Sequence, residues 1–83
     1  MPTPLALVTA WLADLPTSPN PLPADTALIE QGILDSIEIL NLVAFLEERF
    51  DIALPIESFV PENFATPNAI ATLIARISAA EAA

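Results

Sequence analysis

The sequence contains no cysteine, no histidine, no lysine and no tyrosine, and only one glycine. Without cysteine there is no disulfide framework and no thiolate metal site. Without histidine and lysine, the commonest general base, the commonest imidazole ligand and the Schiff-base nucleophile are all missing. Carboxylate pairs are the main catalytic resource that remains, with Glu30 or Glu38 near Asp35 the best placed, and capping and solvation account for those acids more simply. The expectation is therefore a non-catalytic protein with no metal of its own.

Two further absences narrow the class. No apolar run approaches the roughly 20 residues of a membrane helix, and the N-terminal stretch "MPTPLALVTAW" has no basic region of the kind that opens a signal peptide. Both favour a cytoplasmic protein with no membrane partner. Positive charge is also scarce: two arginines stand against eleven acids, for a net charge of −9. Such a surface repels phosphate backbones, which argues against nucleic-acid binding. It attracts basic patches on other proteins, although the same charge also keeps a small apolar domain in solution.

What is present is apolar. Of 83 residues, 54% are hydrophobic. That is enough to build one core and too short a chain for two, so the reading is a single domain over 1–83. Thr3-Pro4 is a hydroxyl cap followed by proline at the first helical position, and Leu5, Val8, Leu12 and Leu15 follow at helical spacing with Trp11 on the same side. This predicts a first helix over about 4–15, ended by Pro16, with Trp11 at the core or its edge. "PTSPNPLP" holds four of the nine prolines and cannot be helical. A loop over 16–35 follows, which Leu28, Ile29, Ile33 and Leu34 are expected to pin to the core.

The second helix is predicted over about 36–50. Asp35 is its N-cap, Glu38 three residues later makes a capping-box-like pattern, and Asp51 lies just beyond its end. A short turn is expected around Ile56 to Phe59, and a short helix over about 61–64 in "PENF". Thr66-Pro67 repeats the opening of the first helix. Ile70, Leu73, Ile74 and Ile77 then form an i, i+3, i+4, i+7 stripe, for a last helix over about 67–80 with "SAAEAA" as a fraying tail. The fold class is all-α: a small bundle of three main helices and one short one, with a long first loop.

The second helix carries two apolar stripes. Ile39, Leu42, Val43, Leu46 and Phe50 fall within about 100° of one another, the width of a core-facing face. Ile37, Leu40 and Ala44 form a separate cluster, flanked by Asn41, Glu47 and Glu48. Spacing alone leaves two readings open. The helix is buried between two neighbours, or the second stripe is an acid-rimmed patch for a partner protein.

Asp35-Ser36 has two readings as well. Both residue types are favoured at helix starts, so capping explains them as a generic feature. A serine in the first turn is also a good attachment site, because its side chain stands beside unpaired backbone N–H groups at the positive end of the helix dipole.

"GILDSIEILNLVAFLEERFDIALP" resembles the attachment region of acyl and peptidyl carrier proteins. Their pattern is a glycine, a short gap, Asp-Ser with an apolar residue next, and an apolar helix ending in Leu-Glu-Glu-x-Phe. Gly32, Asp35, Ser36, Ile37 and Leu46-Glu47-Glu48-Arg49-Phe50 supply it here. The resemblance covers roughly Asp25 to Ile77, the first helix fitting by position only. It implies a four-helix carrier bundle in which Ser36 takes 4′-phosphopantetheine from coenzyme A through a magnesium-dependent phosphopantetheinyl transferase. The thiol of that arm would hold an acyl or aminoacyl cargo as a thioester.

On the same resemblance, Ile37, Leu40, Asn41, Ala44, Glu47 and Glu48 match positions that meet partner enzymes, which tips the second stripe toward the exposed reading. Those partners would be a loading ligase or acyltransferase and downstream synthase enzymes with basic docking patches. Asn41 stands where fatty-acid carriers usually have an acid, and the first helix has no base. "ILDSI" and "PENF" look more like stand-alone carriers served by adenylating ligases, including aminoacyl carriers and those of specialised, polyketide or nonribosomal-type metabolism, monomeric when free. The rival is a helical adaptor that uses the Ile37/Leu40/Ala44 face and carries nothing.

Overall fold

The computed structural model describes residues 3–19 and 21–82. Three α-helices, α1 (Pro4–Ala13), α2 (Ser36–Phe50) and α3 (Pro67–Ala82), are joined by a long first connection and by two 3-10 turns, Ile56–Ser58 and Pro61–Phe64. No strand occurs among the described residues, and the fold is all-α.

Each helix start follows from its local sequence. Thr3 accepts the Ala6 N–H on its hydroxyl at 3.1 Å, with proline in the first turn. Thr66 does the same for Ala69 at 3.0 Å before Pro67. The Thr-Pro pair is thus used twice for one purpose: the hydroxyl takes an orphan amide, and proline loses nothing where no intrahelical donor is needed. α1 ends at Ala13, two residues short of the helix expected to Leu15. Pro16 disfavours the α region for Leu15, and the chain tightens into i→i−3 bonds, Asp14 N–H to Trp11 O at 3.3 Å and Leu15 N–H to Leu12 O at 3.0 Å. At the other terminus the expected fraying tail is helical through Ala82, since the alanines there are strong helix formers; Ala83 lies outside the described residues.

The core gathers one face from each element. Val8 and Leu12 come from α1, Leu42, Val43 and Leu46 from α2, Ile70, Leu73 and Ile74 from α3, and Phe64 from the second 3-10 turn, all buried. Trp11 sits at the edge of this core and stacks on Phe45 of α2, with ring centroids 6.2 Å apart. Fully burying such side chains contributes about 1.5–3 kcal/mol each before entropy is counted.

The first connection is folded onto the bundle. Leu22, Leu28, Ile33 and Leu34 are buried. The Leu28 N–H donates to Ala65 O at 2.8 Å, and Asn68 N–H donates to Ala24 O at 3.0 Å, so the loop is bonded to the entry of α3. Ile29 departs from the expected set of anchors: it is 37% exposed. The turn through 27–32 directs Leu28 inward, and its neighbour consequently faces out.

Candidate functional site

Ser36 is the first residue of α2 and is exposed. Its place is fixed from both sides. Upstream, Gly32 adopts φ +74°, a left-handed conformation that costs a side-chain-bearing residue strain, although nothing lies within 4 Å of where a Cβ would stand. The glycine is required by backbone conformation and not by space. It turns the chain so that Ile33 and Leu34 enter the core and Asp35 arrives extended, with φ −117° and ψ −175°. Downstream, Asp35 Oδ1 accepts the Glu38 N–H at 2.8 Å, and Asp35 O accepts Ile39 N–H at 2.9 Å.

These bonds leave Ser36 between a fixed cap and a regular helix. Among the described residues its hydroxyl has no hydrogen-bond partner. The N–H groups of a first helical turn have no partner within the helix, and they give that end a partial positive charge. The Glu38 N–H is taken by Asp35, and among the described residues those of Ser36 and Ile37 have no partner. A phosphate ester on the Ser36 oxygen could meet these two without displacing an existing side-chain bond. The site therefore fits a covalent phosphodiester.

Beside Ser36 lies an open pocket of about 660 Å³. Its floor is Leu34 and Phe64, and its walls are Ile29 and Gly32 from the first connection, Ile39 and Leu40 from α2, and Phe59 with Val60 between the two 3-10 turns. Among the described residues, Asp35 and Ser36 are the only ones lining it with polar side chains. Sequence periodicity did not reveal this pocket, because its walls come from three separate segments. Ile29 is the clearest case: expected as an anchor, it forms part of the wall.

The two stripes of α2 separate in space. Leu42, Val43 and Leu46 are buried, and Ile39 and Phe50 pack half-buried against the core. Ile37 and Leu40 are 69% and 60% exposed, and Asn41, Ala44 and Glu48 are exposed beside them. Glu47 differs from these neighbours. It is half-buried, and its Oε2 accepts the Leu54 N–H at 2.9 Å. Glu30 is exposed, and the Asp35 carboxylate is committed to the Glu38 amide, so the structure shows no hydrogen-bonded carboxylate pair among these residues.

A family model described as a phosphopantetheine attachment site matches residues 6–74. The chain is also 41% identical over 46 residues to D-alanyl carrier proteins of Bacillus cereus strain B4264 and of Bacillus anthracis strain CDC 684 / NRRL 3495. Each match covers 55% of this chain and 58% of the relative, so the chain spans little more than half the length of these relatives.

Proposed function

The chain belongs to the phosphopantetheine attachment-site family, and from that premise we propose that Ser36 bears the arm and that the protein shuttles a thioester-bound aminoacyl or acyl group between enzymes. Proteins of this family are carriers, not catalysts, and hold 4′-phosphopantetheine covalently. The arm supplies the thiol that this cysteine-free chain lacks.

The observation that carries the assignment is the state of Ser36: an exposed hydroxyl at the start of a 15-residue helix, held between the Gly32 turn and the Asp35 cap, with no competing bond among the described residues. The chain's own residues have three tasks. Asp35 fixes the helix start. The first-turn amides that the Asp35 cap leaves open, those of Ser36 and Ile37, stabilise the ester's negative charge. Ile37, Leu40, Asn41, Ala44 and Glu48 form the face that a transferase, a loading ligase and downstream enzymes read beside the arm.

Charge supports this choice of partner surface. A chain of net charge −9 is steered toward basic grooves, with association that weakens as salt rises. For cargo, the relatives named D-alanyl carriers support an aminoacyl group ahead of a long acyl chain, and polyketide or nonribosomal-type enzymes are a second setting in which such a carrier works.

The test is the native mass. Protein isolated from its source is fragmented by tandem mass spectrometry. The proposal predicts the arm on the peptide containing Ser36, with a small aminoacyl increment above it. Protein isolated with no arm at all would favour the helical adaptor in its place.

A further inference from the structure

The chain leaves α2 after Phe50 and is bonded back to Glu47. Its main-chain carbonyl accepts two N–H groups, from Asp51 and, at 3.2 Å, from Ile52. Its carboxylate oxygen accepts a third, from Leu54 at 2.9 Å. The reversal over 51–54, with Asp51 left-handed at φ 54°, is therefore organised around one residue. Leu54 is buried, Pro55 is extended, and the first 3-10 turn leads directly to Phe59 and Val60, which wall the pocket beside Ser36.

The far end of this segment is tied in a similar way. Asn63 Nδ2 donates to Ser58 O at 2.8 Å, and Asn63 Oδ1 accepts from Arg76 Nη2 of α3 at 3.2 Å. A strap over 55–64 thus lies between two polar ties, one made by a side chain of α2 and one reaching a side chain of α3. Between the ties it shows the solvent Ile56, Phe59 and Val60, at 81%, 38% and 36% exposure.

Glu47 and Glu48 are adjacent acids with different surroundings. Glu48 is exposed, as a charge read by a partner should be. Glu47 is half-buried and spends an oxygen on the backbone. We propose that Glu47 is a positioning residue: its hydrogen bond to Leu54 sets the start of the strap and so holds the Phe59–Val60 wall beside Ser36, while Glu48 supplies the docking charge. The consequence for partner enzymes rests on Ser36 being the modified residue.

Glutamine separates the two roles, because its amide oxygen still accepts a hydrogen bond but carries no charge. Wild type, Glu47→Gln, Glu47→Ala and Glu48→Gln are compared in two measurements. The first is hydrogen exchange at the Leu54, Phe59 and Val60 amides. The second is kcat and KM for arm transfer from coenzyme A by a phosphopantetheinyl transferase, at low and at raised salt.

Glu47→Ala should speed Leu54 exchange about fivefold, the effect of one lost hydrogen bond of ordinary strength, and should lower kcat/KM at both salt concentrations. Glu47→Gln should match wild type in both measurements. Glu48→Gln should leave exchange unchanged and raise KM only at low salt, where charge is unscreened. If Glu47→Ala fails to fold, the glutamine pair decides: Glu47→Gln like wild type with Glu48→Gln impaired supports the proposal. Equal impairment of Glu47→Gln and Glu48→Gln, relieved by salt, overturns it and makes Glu47 a docking charge. Unchanged Leu54 exchange in a folded Glu47→Ala also overturns it. Failure of wild type to accept the arm removes the Ser36 assignment and with it the role of Glu47 toward that residue.

Discussion

Asp35 Oδ1 accepts the Glu38 amide at 2.8 Å, and this bond straddles Ser36 and Ile37. The capping interaction and the presentation of Ser36 are therefore one feature. Removing the carboxylate in Asp35→Ala should cost about 1 kcal/mol, the usual loss of an N-cap. Asp35→Asn should cost much less, because asparagine caps as well as aspartate does. Urea denaturation of the two variants checks this, and equal losses would show that charge and not capping holds the helix start.

Gly32 offers a second test. At φ +74° with open space around the missing Cβ, the position is constrained by backbone conformation alone. Gly32→Ala should destabilise by about 1–2 kcal/mol. Gly32→Asn should destabilise less, since asparagine tolerates the left-handed region. If alanine proves neutral in thermal denaturation, the turn before Asp35 is not held as described.

Leu40 distinguishes a surface stripe from a core stripe. It is 60% exposed and borders the pocket beside Ser36. Leu40→Asp should leave helicity by circular dichroism intact and change stability by no more than about 0.5 kcal/mol. It should reduce kcat/KM for arm transfer about tenfold, as removal of a central apolar anchor does. Unfolding of this variant would place the stripe in the core.

Phe64 makes the opposite prediction. It is 1% exposed, packs edge-on against Phe59 with ring centroids 6.4 Å apart, and forms the pocket floor. Phe64→Ala should cost about 3–5 kcal/mol, a large share of the total stability of a domain this size. A shift in the urea midpoint of that order is expected; a small shift would mean that the second 3-10 turn is only loosely joined to the core.

Much of this architecture is written in local sequence. Thr3-Pro4, Thr66-Pro67 and Asp35 mark helix starts because capping acts within four residues, and the stripe through Ile70, Leu73 and Ile74 marks a buried face because helical period is local too. The place of Ser36 at a helix start and the two faces of α2 are legible for the same reason. What escapes is non-local. Ile29 and Leu28 are equally apolar neighbours, and the turn through 27–32 together with the bond from Leu28 to Ala65 in a distant segment turns Leu28 inward. Glu47 and Glu48 look equivalent in sequence, yet the position of the Leu54 amide after the Asp51 turn separates them. The pocket needs three segments to meet, and no single stretch announces it.

The measurement that bears most directly on the central claim is intact mass before and after incubation with coenzyme A, magnesium and a broad-specificity phosphopantetheinyl transferase. The wild-type chain should gain the mass of one phosphopantetheine arm, and Ser36→Ala should gain none. An unmodified wild type, or a Ser36→Ala variant that gains the arm as readily, would contradict the assignment of Ser36 as the residue through which this protein works.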